Sequence, residues 1–344
     1  MKNLETTISK AQKFLISARG DDKLWHDFSL KPGESDEWVS GYVGSVFSES
    51  GNSQFKDIAR ETWNILGWKR LNGHGGWAYN SNAMEDADST LWCLRLANNL
   101  GVGDRIRAKM ARDFILQLKT GEGGISTYSI SQFGGGKSNQ DVSGWTASHT
   151  CVTAAAAVLP QFNKTLCGYL SDKQKADGSW KGYWWIDDVY ATTFAVEALL
   201  LSGKKKYQEN LDKAKGWAIN KFDGDGFMKT EKFPEGSAFA TALGLRILLM
   251  LDGMKTHKNL LEKIICWLEI QQNDDGSWPS SALMRVPPMD FTDPELYEYA
   301  FWEEGMDQNW GVITMDQHRL FTSTTVFHTL HNILLPIFKG REFT

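Results

Sequence analysis

The stretch Gln174-Lys175-Ala176-Asp177-Gly178-Ser179-Trp180 decides the fold, because a near copy (QNDDGSW) follows at residues 272–278. Each copy is an acidic, glycine-containing turn that ends on a tryptophan. Related turns, each with glycine or acid before a bulky residue, lie at residues 20–25, 75–77, 123–125 and 223–227. Their spacing is mostly about fifty residues, which accommodates two helices and two loops per unit and indicates a repeat architecture.

Two kinds of helix alternate with these turns. Amphipathic helices are predicted before the turns, for example at residues 4–18, 55–68, 106–118, 211–221 and 260–271. Helices richer in small and apolar residues are predicted after them, at residues 38–47, 88–98, 142–159, 188–201, 237–251 and 322–335. This alternation is typical of two concentric layers. We therefore expect an all-α fold in which residues 1–344 form a single α6/α6 barrel of six hairpins around a central cavity.

Two connections exceed the usual length of a helix–helix loop. Residues 128–140 are polar and rich in glycine. Residues 279–319 contain two adjacent prolines, several acids and many aromatic residues, among them Trp302 and Trp310. Long aromatic connections without repeats of their own are often lids, so we predict that residues 279–319 are a loop that caps one mouth of the barrel.

Composition excludes several classes of protein. The net charge is −5 and no Lys/Arg-rich run occurs, so nucleic acid is not an expected partner. The four cysteines are scattered without a CxxC motif, which argues against a disulfide framework or a zinc knuckle. Neither a signal-peptide core nor a run of about 18 apolar residues is present. We expect a cytoplasmic protein that could still touch a membrane surface, since a greasy ligand would dissolve there.

Two carboxylates stand in an unusually aromatic setting. Gly75-Gly76-Trp77-Ala78-Tyr79 is followed by Asp86-Ala87-Asp88-Ser89-Thr90 at the start of a predicted apolar helix. A buried carboxyl that stays protonated is an acid strong enough to protonate a carbon–carbon double bond. The simpler interpretation is an N-cap aspartate followed by an exposed aspartate in the first helical turn.

These motifs resemble those of squalene-hopene cyclases, the class II terpene cyclases. The family's Gln-x-x-Asp-Gly-x-Trp repeat is matched at residues 174–180 and 272–278, and its following aromatic stretch at residues 182–192. Its Gly-Gly-Trp segment and Asp-x-Asp-Asp-Thr acid motif are matched at residues 75–79 and 86–90, with Ser89 in place of the last aspartate. The match covers most of the chain and is weakest after residue 279.

The resemblance implies a role for each matching residue. The middle aspartate of the family motif donates the proton, so Asp88 is the expected acid, and Asp86 either tunes that acid or caps the helix. The aromatic residues Tyr79, Trp184 and Tyr190 match positions that line the family's cavity, and Trp185 is adjacent. Such rings stabilise carbocations by cation–π attraction.

The family also has a histidine that hydrogen-bonds the acid, four residues after an Asp-Val-Thr/Ser segment begins. The matching segment begins at Asp141 and places Trp145 at the position of that histidine. We predict that the Trp145 indole N–H donates to Asp88. Because indole has no acceptor, it cannot relay protons, and reprotonation would pass through Ser89, Tyr190 or His149. His149 is predicted one turn beyond Trp145 on the same helix face, where a structural role is slightly favoured over participation in the reaction.

The family implies a metal-free enzyme without cofactors, acting on a hydrophobic polyprenylated compound. Its usual members have at least two α-barrel domains, whereas this chain accommodates one. That points to single-domain cyclases of the cyanobacterial merosterolic acid synthase type, which act on prenylated aromatic acids. Additional substrate contacts are predicted from Ser89, from Lys137 in the glycine-rich loop, and from Trp302 and Trp310 in the cap.

Other classes of protein fit less well. A class I terpene synthase would need an acid-rich magnesium motif, and Asp187-Asp188-Val189 lacks the following acid. A prenyltransferase β-subunit would hold zinc with Asp188, His328 and a cysteine two residues after the aspartate, but that position is Tyr190. The glycines before Lys137 lack the spacing and the preceding strand of a P-loop. A non-enzymatic lipid-binding barrel remains open.

Overall fold

A computed structural model describes residues 3–69, 73–135, 139–253, 256–306 and 311–334. Thirteen α-helices lie within these ranges: α1 (Leu4–Ser17), α2 (Glu37–Glu49), α3 (Ser53–Trp68), α4 (Ala87–Asn99), α5 (Ile106–Gln117), α6 (Ser143–Thr146), α7 (Thr150–Ala157), α8 (Pro160–Asp172), α9 (Val189–Gly203), α10 (Gln208–Lys221), α11 (Ala238–Asp252), α12 (Lys258–Ile270) and α13 (Leu320–Leu334). None of the described helices is both long and apolar enough to cross a bilayer.

Twelve of these helices form the predicted barrel, which the structure confirms. The inner helices α2, α4, α7, α9, α11 and α13 contact one another in that order, and α13 returns to α2. The outer helices α1, α3, α5, α8, α10 and α12 pack against them. Inner helices such as α9 are buried on nearly all sides, whereas α3 buries one stripe. That difference matches the small-residue and amphipathic patterns of the sequence.

The repeated turn ties each outer helix to the next inner helix. The Trp180 indole Nε1 donates to the Leu170 carbonyl oxygen at the end of α8, and the Trp180 backbone N–H donates to the Thr192 hydroxyl on α9, 3.0 Å away. Gly178 has a φ of +97°, and a Cβ there would collide with the Lys213 carbonyl of α10. The glycine is therefore required both by its conformation and by close packing.

All six turns share the bond from a backbone N–H to a hydroxyl of the inner helix. The pairs are Trp25 with Ser40, Trp77 with Thr90, Ile125 with Thr153, Trp180 with Thr192, Met228 with Thr241, and Trp278 with Ser323. In the fifth turn the donor is Met228, one residue after the bulky Phe227 of the sequence pattern. The repeat is thus defined by backbone geometry more than by the tryptophan.

Short strands lie in the connections. They are β1 (Asp27–Leu30), β2 (Gly33–Ser35), β3 (Trp77–Ala78), β4 (Glu85–Asp86), β5 (Leu283–Val286), β6 (Ala300–Phe301) and β7 (Val312–Met315). β1 pairs with β2 and β3 with β4, both antiparallel. β7 lies between β5 and β6, antiparallel to β5 and parallel to β6. Residues 279–319, predicted to be a loop, therefore contain three paired strands, and their capping of the barrel mouth stays a prediction.

The third inner helix also differs from the prediction. The sequence predicts one helix over residues 142–159, but α6 ends at Thr146 and α7 begins at Thr150. Between them, Ser148 forms an isolated bridge with Ser126, and the His149 backbone N–H donates to the Ile125 carbonyl oxygen. These contacts with the preceding turn interrupt the helix. The single turn α6 packs instead against the 279–319 segment. The Trp145 backbone N–H donates to the Met289 carbonyl oxygen there.

Four charged side chains and one histidine form a closed ring within the barrel below its aromatic layer, and we call it the charge ring. Its five members come from five inner helices: Glu49, Arg95, Glu197, Arg246 and His328. Around the ring the contacts are Glu49–Arg95 at 3.0 Å, Arg95–Glu197 at 3.0 Å, Glu197–Arg246 at 2.6 Å, Arg246–His328 at 3.1 Å and His328–Glu49 at 3.0 Å. Every member therefore has two partners within the ring.

Candidate active site

A cavity of about 430 Å³ lies at the N-terminal ends of the inner helices. Six aromatic side chains line it: Trp38, Tyr79, Tyr128, Trp145, Trp184 and Trp185. Three methionines (Met84, Met284, Met289) extend the apolar surface. Among the described lining residues, only Asp86 and Asp88 carry carboxyl groups. Apolar walls around a few polar groups are typical of sites for small hydrophobic molecules.

Asp88 occupies the first turn of α4 and contacts the cavity. The pKa of this carboxyl is raised to about 8, first by burial and then by the negative charge of Asp86, and the nearby Trp38 indole opposes this rise. The dipole of α4 also favours the charged form, so burial outweighs it. Asp88 is therefore a neutral acid at pH 7, as its predicted role requires.

Asp86 is the N-cap of α4. Its Oδ1 accepts the Ser89 backbone N–H at 2.8 Å, and its Oδ2 accepts the Ser89 hydroxyl at 2.7 Å. Two donors to one carboxylate favour its charged form. Ser89, which replaces the family's last aspartate, therefore fixes the Asp86 carboxyl group beside Asp88 with both of its donors. The capping role predicted for Asp86 is confirmed by these bonds.

Trp145 lines the cavity but does not hydrogen-bond the acid, so that prediction is wrong. Its indole Nε1 donates to the Pro287 carbonyl oxygen at 2.9 Å, and its ring stacks on Tyr128 with centroids 5.3 Å apart. The break between α6 and α7 accounts for the error, since α6 packs against the 279–319 segment. Trp145 is consequently part of the aromatic wall.

Trp38 takes the place beside the acid that the sequence assigns to Trp145. Its indole N–H is buried, has no hydrogen-bond partner of normal geometry among the described residues, and lies close enough to Asp88 to lower that carboxyl's pKa. Trp38 is the second residue of α2, as Asp88 is the second residue of α4. This equivalence within the repeat is the signal that could have identified Trp38.

His149 is buried and fully engaged. Its Nε2 donates to the Gly144 carbonyl oxygen at 2.8 Å, so its Nδ1 accepts from the Thr127 hydroxyl at 2.7 Å. Thr127 in turn accepts the Trp184 indole N–H at 2.7 Å. Burial lowers the pKa of His149 to about 3, which keeps it neutral. The histidine lies at the N-cap of α7, not on one helix face with Trp145 as predicted, and it orients Thr127 and Trp184.

Tyr190 lies behind the cavity. Its ring stacks on Trp185 with centroids 4.5 Å apart, and its hydroxyl accepts the Trp92 indole N–H at 3.2 Å. Burial first, and then the charge of Asp88, raise the pKa of Tyr190 well above its usual value. Tyr190 thus supports the Trp185 ring and interacts electrostatically with Asp88. Its predicted catalytic role stays a prediction.

The remaining predicted contacts divide into three groups. Tyr79, Trp184, Trp185 and Ser89 line the cavity as expected, although their function in binding stays a prediction. Trp302 lies in a neighbouring depression instead. Lys137 and Trp310 lie outside the described residues. Sequence reasoning missed Thr127, Tyr128 and the three methionines, which have no motif of their own.

The residues proposed for a zinc site do not converge. Asp188 pairs with Lys175 at 2.7 Å and accepts the Gly182 backbone N–H, whereas His328 belongs to the charge ring. In the described ranges, no group of three or more His, Cys, Asp and Glu side chains is arranged to hold a metal ion. The prenyltransferase-like alternative therefore has no donor set among those residues.

Comparisons with known proteins identify related enzymes. Residues 136–278 match the model of the squalene-hopene cyclase C-terminal domain. The type II terpene cyclase MstE from Scytonema, solved as a variant in complex with geranylgeranyl dihydroxybenzoate, is similar at 34% identity and a TM-score of 0.92, covering 96% of this chain and 97% of that chain. A protein from Actinoplanes is similar at 32% identity and a TM-score of 0.88, covering 96% and 100%.

A more distant relative is lanosterol synthase erg7A of Aspergillus fumigatus, which is 24% identical over 264 residues. That match covers 64% of this chain but only 33% of the synthase. The Scytonema enzyme, in contrast, is 34% identical and matches this chain over nearly its whole length, which establishes the family. The chain belongs to the type II terpene cyclases, isomerase-type enzymes that start cyclisation by protonation.

Proposed function

We propose that this protein cyclises the polyprenyl chain of a prenylated aromatic acid of the geranylgeranyl dihydroxybenzoate type. The observation that carries the proposal is a neutral carboxyl, Asp88, at an aromatic cavity in a chain 34% identical to an enzyme solved with that compound. The cavity volume falls in the range of about 300–1,000 Å³ that small-molecule sites usually have.

The first step is proton transfer from Asp88 to the terminal double bond. The proton adds to the CH carbon, its partner carbon becomes a tertiary cation, and Asp88 is left as a carboxylate. The negative charge of the adjacent Asp86 raises the pKa of Asp88 and so helps to keep Asp88 protonated before the step. Asp86 therefore tunes the acid without contributing the proton.

Ring closure follows as each double bond in turn supplies its electron pair to the cation. The faces of Trp38, Trp184 and Trp185 attract the moving positive charge. The chain must be folded before protonation, so much of the rate acceleration comes from positioning. The apolar walls exclude water, which would otherwise trap the cation. The cascade ends when a proton is lost or an internal phenol oxygen captures the cation, and Asp88 is then reprotonated.

The test is incubation with geranylgeranyl dihydroxybenzoate, geranylgeranyl diphosphate and squalene in parallel. We expect turnover of the prenylated benzoate, unchanged by EDTA and lost in D88N. In D₂O the product should carry one deuterium on the carbon next to the gem-dimethyl carbon, because that carbon receives the initiating proton. A product without that deuterium, or full activity in D88N, would contradict the mechanism.

We also propose contact with a membrane surface, from which a greasy substrate would be drawn. Supporting it, Met84 at the cavity is 38% exposed, and Phe301 in β6 is 48% exposed. Co-sedimentation with vesicles is the direct measurement. We expect M84S/F301S to sediment less than the wild type, and equal sedimentation would count against this surface.

A further inference from the structure

Lys31 is the one cation among the described residues that line the active-site cavity. It lies between Leu30 and Gly33, in the turn of the β1–β2 hairpin, and is exposed. No ion pair or hydrogen bond engages its ammonium group within the described part of the chain. A single uncompensated positive charge therefore stands at the edge of an otherwise apolar and acidic cavity.

A second depression, of about 740 Å³, adjoins the cavity at this point. The two share Leu30 and Lys31, and the depression is further lined by Trp302, Glu304 and Gln317. Its mixture of one aromatic face and several polar groups suits a hydroxylated aromatic ring better than a polyprenyl tail. Lys31 thus stands where the apolar cavity meets a polar compartment.

The acidic groups near Lys31 leave its charge available. Glu34 accepts from Gln317 and from His318, each at 2.8 Å. Glu304 lines the depression and forms no ion pair with Lys31. A carboxylate ligand would be attracted by Lys31, while phenolic hydroxyls on the same ring could donate to Glu304.

The residues that line the cavity carry charges of both signs. Asp88 lies in the first turn of α4 and Asp86 caps that helix, so a negative head group there would be repelled by Asp86 and would disfavour loss of the Asp88 proton. Lys31 lies on the exposed hairpin. We propose that Lys31 binds the carboxylate of the substrate head group, so that the polyprenyl tail enters first and its last double bond reaches Asp88. This inference rests on the proposed function.

The experiment compares the carboxylate-bearing substrate with neutral analogues. KM and kcat are measured for geranylgeranyl dihydroxybenzoate, its methyl ester and the corresponding geranylgeranyl hydroquinone, in the wild type, K31M and K31R. K164M is the matched control, because Lys164 is an exposed lysine on the outer helix α8. The methionine keeps the length of the side chain and removes its charge.

We expect K31M to raise KM for geranylgeranyl dihydroxybenzoate by about tenfold or more, with little change in kcat. This is the size of effect expected when a hydrogen bond to a charged group is lost. KM for the two neutral compounds should stay the same, and K31R and K164M should behave like the wild type. If the wild type cyclises the acid and K31M keeps its KM, this proposal fails and the proposed function stands. If the wild type cyclises none of the three, both fail.

Discussion

At the residue scale, Asp88 faces opposite demands from catalysis and stability. Its pKa in the folded protein is about 8, against an ordinary 3.8, so folding favours the protonated form. The stability that this preference provides is fully present below about pH 4 and is lost as the pH rises through about 8. Each unit of pKa rise corresponds to about 1.4 kcal/mol, so the native state carries a large penalty at alkaline pH.

We predict that D88N loses activity and gains stability. Asparagine has the shape of the protonated acid but cannot deliver a proton, so cyclisation should fall by at least about 100-fold. The midpoint of thermal unfolding at pH 8 should rise above that of the wild type, and the difference should shrink toward pH 4. Melting curves across this range provide the measurement. If the unfolding midpoints of D88N and the wild type changed with pH in parallel, Asp88 would not have a raised pKa in the folded protein.

A second prediction separates the two tryptophans. Trp38 lowers the pKa of Asp88, whereas Trp145 donates to Pro287. W38F should therefore move the alkaline fall of kcat/KM to higher pH, because the acid stays protonated longer. W145F removes an indole N–H from the same cavity and should leave that limb in place. A shift in W145F and none in W38F would restore the assignment made from the sequence.

The sequence identifies the site residues that belong to a recognisable motif. It misses the residues that reach the site only through the packing of the helices. Asp86, Asp88 and Tyr79 are found because they stand in a recognisable segment. Trp38 contributes to the same site from another hairpin, about fifty residues earlier in the chain. Its approach to Asp88 depends on the packing of α2 against α4, which no local pattern encodes.

At the scale of elements, the turn-to-helix hydrogen bond is the recurring structural unit. We predict that T192V destabilises the protein by about 1–3 kcal/mol, because the buried Trp180 backbone N–H loses its acceptor. T192S is the matched control, since it keeps the hydroxyl and should cost less. The free energy of unfolding from urea titration measures both. Equal costs for the two variants would show that packing, not the hydrogen bond, matters at this turn.

The elements themselves were largely predictable where periodicity is local. Helix ends agree with the structure within about three residues at most positions, within the usual uncertainty of helix boundaries, since each helix carries its own amphipathic or small-residue pattern. The exceptions have non-local causes. β5 pairs with β7 across some twenty-five residues, and the α6–α7 break follows from contacts with residues 125–126 and 289. Pairing of that kind leaves little trace in a short window.

At the scale of the molecule, the charge ring joins five of the six inner helices beneath the cavity. Burial alone would raise the pKa of Glu197, but Arg246 and Arg95 lower it, so both glutamates of the ring are charged. His328 has a lowered pKa, mainly because of burial, and is neutral, with Nδ1 accepting from Arg246. Two glutamates and two arginines then balance, which is the condition under which a buried network is tolerated.

We predict that breaking this balance is costlier than removing a whole pair. E197Q leaves two arginines facing one glutamate, and the expected loss is about 3–5 kcal/mol of unfolding free energy. R246M should cost a similar amount, whereas E197Q/R246M restores neutrality and should cost less than the sum. The exposed Glu209–Lys213 pair on α10 is the control, and E209Q should change stability by about 0.5 kcal/mol or less. Additive losses in the double-mutant cycle, or an E197Q protein as stable as E209Q, would mean that the inner helices are held by apolar packing alone.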